Sequence, residues 1–200
     1  MSICKYLTAA TLATALSVSI ASAATFTIDP GDVTVTGKDF CFPGDCKLDG
    51  AVLGNSFDLN TVGETASVDD LFDWKVLLTK PWASGGGKYS VNVDLNFSSP
   101  SNAAAGGSGY AGFITVLGTI TGGILKWTAG SGSVDFGDGH VLSYSFKDAA
   151  ELGFGTGTTT GATFTLTEAP APVPLPASAL LLLGGVGALG GIRARRKRQS

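Results

Sequence analysis

Between its two ends the sequence has no arginine and only one histidine (His140), and charges of either sign are few, 14% over the whole chain. Seven lysines face sixteen acidic residues, and every acid falls between Asp29 and Glu168. A body that is acidic and lacks arginine excludes an ordinary nucleic-acid binder, because phosphate contacts need cations. The acidity reads as a solubility device. The single histidine limits any Ser-His-Asp triad to His140, and no G-x-S-x-G elbow accompanies it. Three cysteines and one histidine cannot furnish a four-ligand zinc site together with the pairing described below. No D-x-D-x-D-G calcium loop occurs. A helical period is also missing, apart from single turns expected near Asp69–Phe72 and Asp148–Leu152. No cofactor and no resident metal are expected.

What the body does have is glycine, 29 residues in the whole chain, and strict alternation. In "YSVNVDLNF" the apolar positions are Tyr89, Val91, Val93, Leu95 and Phe97, with polar residues between them. Period two over nine residues predicts a strand with one buried and one wet face. "TFTI" from Thr25, "DVTVT" from Asp32, "SVDF" from Ser133, "VLSYSF" from Val141 and "ATFTLT" from Ala162 repeat the theme. "FITVLGTI" and "ILKWT" are more continuously apolar and fit central strands, and "DWKVLLTK" from Asp73 is another strand candidate. Asp138-Gly139 in "GDGH" supplies the positive φ of a tight hairpin turn, and "TGG" at Thr121 to Gly123 is expected to do the same. "SGGGK" and "SSPSNAAAGGSG" read as flexible loops. About ten short strands predict an all-β fold, an antiparallel, jelly-roll-like β-sandwich over residues 24–168, with one hydrophobic helix at the C-terminal end of the chain.

The two ends read as addresses. Lys5, a long apolar stretch and Ala21-Ser22-Ala23 form a secretory signal over residues 1–23, with cleavage between Ala23 and Ala24 by signal peptidase; the rival is a short core helix without an amphipathic face. Cys4 falls in the removed segment. Export places Cys41 and Cys46 of "CFPGDC" where a disulfide persists, and Pro43-Gly44 turns the chain between them. A redox pair would want C-x-x-C. At the other end, residues 169–176 are a stiff Pro-rich linker. Residues 177–192 are apolar and uncharged, 16 positions, about 24 Å as a helix against a hydrocarbon core of about 30 Å. Arg193, Arg195, Arg196, Lys197 and Arg198 follow in the basic tail 193–200 as a stop-transfer block.

Val173-Pro174-Leu175-Pro176-Ala177, then a short Gly-rich apolar helix, then a terminal arginine cluster, resembles the VPLPA branch of the PEP-CTERM sorting signals of Gram-negative bacteria. The commoner motif of that family has Glu where Leu175 stands. The resemblance covers about the last 28 residues. It implies recognition by a membrane-embedded exosortase, which removes the tail and releases or transfers the protein from the inner membrane, body in the periplasm, to the cell surface or extracellular matrix. A permanent, marginal membrane anchor is the alternative reading of the same residues.

Within the body, Asp135, Asp138 and His140 form D-x-x-D-x-H, a pattern open to a metal, although a turn aspartate ordinarily bonds its own backbone. Asp69 and Asp70 are adjacent carboxylates. Trp74 and Trp127 sit in strand patterns and are expected in the core, whereas Trp82 in "KPWASGGGK" has a loop context and is the candidate ligand contact. The sequence therefore predicts a non-enzymatic structural or adhesive surface protein. A carbohydrate-binding module, with extracellular polysaccharide as partner, is the second reading, and a secreted hydrolase the third.

Overall fold

A computed structural model describes residues 23–149 and 157–171; the sorting motif, the apolar run and the stop-transfer block lie outside the described residues. Among the described residues no helix is long and apolar enough to cross a membrane. The described chain is all-β and antiparallel, eleven strands within one compact unit, Ala21–Pro170.

Period two organises it. β6 (Ser84–Ser99) carries the strongest alternation, and Tyr89, Val91, Val93, Leu95 and Phe97 are all buried. β6 is paired on both sides. One edge holds β2 (Gly31–Phe42) and β1 (Ala24–Ile28), and the other holds β7 (Ala103–Val116), which in turn pairs with β8 (Thr119–Ala129). β4 (Asn55–Leu59) extends this half beyond β1. In the second half β3 (Cys46–Val52), β5 (Thr65–Leu78), β11 (Gly157–Glu168), β10 (Val141–Phe146) and β9 (Ser131–Asp135) run side by side in that order. Only Gly31 and Asp32 of β2 reach across to pair with β3.

Aromatic rings join the halves. Phe57 of β4 stacks on Phe164 of β11 at 4.9 Å, and Phe26 of β1 meets Phe136 edge-on at 5.3 Å. Trp127 of β8 lies 4.9 Å from Phe146 of β10 and 5.5 Å from Phe72 of β5. Such pairs add about 0.5–1.5 kcal/mol each beyond the area they bury. The indole N–H of buried Trp74 donates to Thr160 Oγ1 at 2.9 Å, so the ring enters the core without an orphaned donor.

Several local expectations are corrected. "FITVLGTI" is not one strand: the β7–β8 hairpin turns at Leu117-Gly118, with φ of 51° and 81°. "TGG" at Thr121 to Gly123 lies inside β8 rather than in a turn. "SGGGK" is the paired start of β6, and most of "SSPSNAAAGGSG" belongs to β7. Asp69–Phe72 is strand, not a helical turn. At Gly86 the glycine has a packing cause. A Cβ at Gly86 would come within 2.5 Å of the Phe113 carbonyl oxygen, so the close approach of strands there requires a residue that looks like loop composition. The "GDGH" turn does form, between β9 and β10, with Gly137 and Gly139 at positive φ.

Cys41 and Cys46 form a disulfide, Cα–Cα 5.7 Å, from the end of β2 to the start of β3. Converting both to Ser is expected to lower unfolding free energy by about 2 kcal/mol, the chain-entropy value for so small a loop. Urea unfolding, with the midpoint falling at unchanged slope, checks this; equal midpoints would mean that the turn's hydrogen bonds alone hold it.

Candidate functional site

The residues singled out for chemistry sort themselves by geometry. His140 is buried, and its Nδ1 lies 3.0 Å from Asp138 Oδ2 while its ring meets Phe26 edge-on at 5.9 Å. Asp138 Oδ1 accepts the His140 backbone N–H at 3.0 Å, and Asp135 Oδ1 accepts the Gly137 N–H at 2.8 Å. Both carboxylates thus serve the turn between β9 and β10. Among the described residues no three His, Cys, Asp or Glu side chains converge on a point. Asp69 and Asp70 point to different partners, Lys147 Nζ at 2.6 Å and Thr159 Oγ1 at 2.5 Å. Asn96, in the sequon "NFS", stands exposed on β6.

Trp82 behaves differently. It is 56% exposed, beside the turn that enters β6, whereas Trp74 is 2% exposed. Its loop is held firmly. The Ala83 N–H bonds the Lys80 carbonyl at 3.1 Å, the Gly118 N–H bonds the Ala83 carbonyl at 2.9 Å, and the Leu117 N–H bonds Ser84 Oγ at 2.8 Å. The loop is therefore fastened to the β7–β8 hairpin tip, where Leu117 is 73% exposed. Phe42, opposite Ser84 in the β2–β6 ladder, is 74% exposed. Its turn is closed by the disulfide and tied to the end of β5, with the Asp45 N–H donating to Thr79 Oγ1 at 2.7 Å and the Thr79 N–H to the Asp45 carbonyl at 3.0 Å.

The apolar surface continues from this end onto the outer face of β2, β6, β7 and β8. Registers there align Phe40 with Gly86, Ile114 and Gly122 in one row, and Lys38 with Lys88, Gly112 and Ile124 in the next. Thr36, Ser90, Tyr110 and Lys126 form a third. Large side chains alternate with glycine, and the face dips into a concavity of about 1130 Å³ lined by Phe40, Gly86, Gly112, Ile114, Tyr110 and Ile124 among others. Of eleven exposed large apolar side chains among the described residues, Phe40, Phe42, Trp82, Tyr110, Ile114, Val116, Leu117 and Ile124 belong to this one region. Single exposed apolar residues are ordinary; a contiguous patch marks an interaction site. The loop context of Trp82 signalled its exposure. The exposure of Phe40, Tyr110, Ile114 and Ile124 carried no such local signal, and only the register shows which way they face.

Ionisation is structural here. Burial raises the Asp138 carboxyl pKa, but bonds from the His140 backbone and ring outweigh this and hold it below its ordinary value. Lys147 lowers Asp69, and the Asn60 and Thr61 N–H groups lower Glu64. Carboxylates depressed in the folded state stabilise it above their unfolded pKa, and that contribution is lost as pH falls through the folded value. Stability is expected to be level from pH 7 to about 5 and to decline below about 4, with a smaller decline in Asp138→Asn. Thermal melts across that range check it; an unchanged decline in the variant would show that the His140 pair contributes nothing.

No family model, curated protein or solved structure matches the chain, so its own residues carry the functional argument.

Proposed function

We propose that the chain is an exported surface or extracellular-matrix protein with a structural or adhesive, non-enzymatic role, built on a jelly-roll-like β-sandwich. The observation that carries the adhesive part is the gathering of exposed apolar side chains at one end of the body. That end lies far from where the chain leaves toward its tail. β11 exits beside the start of β5, with Thr165 opposite Thr65, whereas the Phe42 turn is tied to the end of β5. Fourteen residues of strand separate them, about 45 Å when extended. A chain exit at one end of the body and an adhesive surface at the other suit a protein held or linked through its C-terminal side. The disulfide fits an oxidising compartment.

The order of Val173 to Ala177, the apolar residues 177–192 and the basic cluster Arg193 to Arg198 supports sorting by an exosortase-type membrane protease or transpeptidase. Intact-mass measurement with C-terminal peptide mapping, on protein recovered from its producing cells, tests this. A C-terminus near Val173–Ala177 without the basic cluster is expected. A species running from Ala24 to Ser200 would overturn sorting in favour of a permanent anchor.

A second reading, a carbohydrate-binding module, is favoured by Trp82, an indole held by its loop yet half exposed. Rigid aromatic surface of this kind stacks on apolar ring faces at small entropic cost. Trp82→Ala is expected to leave the melting temperature within a degree or so, since an exposed ring contributes little to stability, while abolishing binding on a neutral glycan array. Retained binding would remove Trp82 from the site.

A further inference from the structure

We propose that the outer face of β2, β6, β7 and β8 is a binding groove for a carboxylate-bearing polysaccharide, a proposal that rests on the carbohydrate reading and specifies its ligand. Three observations carry it.

The first is charge. Of the body's seven lysines, Lys38, Lys88 and Lys126 lie on this one face, on a molecule otherwise dominated by acids. Among the described residues the lysine ion pairs are Lys75 with Asp73 and Lys147 with Asp69, so none of these three has an acidic partner. Asp39 also lines the concavity, where Lys38 and Lys88 outnumber it. Lys38 and Lys88 stand directly opposite each other across the ladder, a placement of like charges that destabilises a sheet. A bound anion relieves that repulsion.

The second is spacing. Lys126 stands two strands from Lys88, about 10 Å across the sheet. The cations are spread along the face and do not converge, which suits a polymer with repeated charges better than one small anion. Lysine, a compact point charge, suits single carboxylates.

The third is what lies between them. Phe40, Ile114 and Ile124 give apolar surface, while Thr36, Ser90 and the Tyr110 hydroxyl give hydrogen-bonding groups. Sugar rings present the complementary pair, an apolar C–H face and a rim of hydroxyls. A nucleic acid carries far denser charge, about one per 1.7 Å of duplex, and the acidic, arginine-free body repels it.

Gly122 provides a clean block. It sits beside Ile114 on this face, and a Cβ there would meet nothing within 4 Å. Gly122→Glu therefore adds bulk and negative charge to the groove without disturbing the core.

The test uses protein purified from its producing cells, polygalacturonate as probe, and the same polymer fully methyl-esterified as the uncharged control. Polygalacturonate is expected to bind, with affinity falling as salt rises, and the ester is expected to bind at least about tenfold more weakly. The K38Q/K88Q double variant and Gly122→Glu are each expected to weaken binding about tenfold. K38Q/K88Q is also expected to melt higher than the parent at low salt without polymer, which separates lost repulsion from misfolding. Equal binding of ester and acid would overturn the proposal, as would variants that bind like the parent. Tighter binding of oligo-dT would overturn it in favour of nucleic acid. A dimer in sedimentation runs that the same variants dissociate would overturn it in favour of a second copy. Neutral-glycan binding through Trp82 with polygalacturonate ignored would sink this proposal and leave the carbohydrate reading intact; no glycan bound at all would sink both.

Discussion

The molecule depends on β6 being paired along both edges. A strand with neighbours on either side has its backbone donors and acceptors engaged by the sheet, and its side chains can point in only two directions. Tyr89, Val91, Val93, Leu95 and Phe97 go inward to the core. Gly86, Lys88 and Ser90 go outward to the concave face. One alternation therefore builds the core and the candidate site at once. A one-residue slip would exchange the two faces, so the burial of five apolar residues also holds the outer residues in place.

At the end where β6 begins, apolar side chains that water would disfavour are held in view by restraint. The Cys41–Cys46 disulfide and the Asp45–Thr79 hydrogen bonds fix the turn bearing Phe42. The Ala83–Gly118 and Ser84–Leu117 bonds lock the Trp82 loop onto the hairpin tip. A loosely tethered Phe or Trp would fold back onto the nearest apolar surface. Restraint of this kind lowers the entropy lost on meeting a partner. The exposed edge of β8 is treated in the opposite way: the Leu125 N–H and carbonyl bond the Ala149 backbone, and Asp148 accepts the Trp127 N–H. An edge satisfied by its own chain offers less of a template for adding foreign strands. The contrast directs association to the side-chain face.

Much of the fold was legible because period two is a local property. Val141–Phe146 reads as a strand from its own six residues and forms β10 with those bounds. Asp138-Gly139 reads as a turn from two residues, and the chain turns there. The reading failed where composition and context disagree. Gly85, Gly86 and Gly87 look like a flexible linker, yet they lie in ladders with both β2 and β7. Phe113 to Ile120 looks like one apolar strand, yet Leu117-Gly118 reverses it and leaves Leu117 exposed at the tip, while alternation within β7 buries Phe113 and exposes Ile114.

The sequence by itself determined the class of structure, the strong strands, the pairing of two nearby cysteines and the exposure of Trp82. Each follows from a few adjacent residues: alternation, a Pro-Gly turn, a loop context. The tertiary structure decided which strands became neighbours, and hence that Phe40, Lys38, Lys88, Tyr110, Ile114 and Lys126 share one face. These residues come from four strands, and no local pattern relates them. Their meeting depends on registers between distant segments, and registers are selected by how the whole inner face buries its aromatic rings.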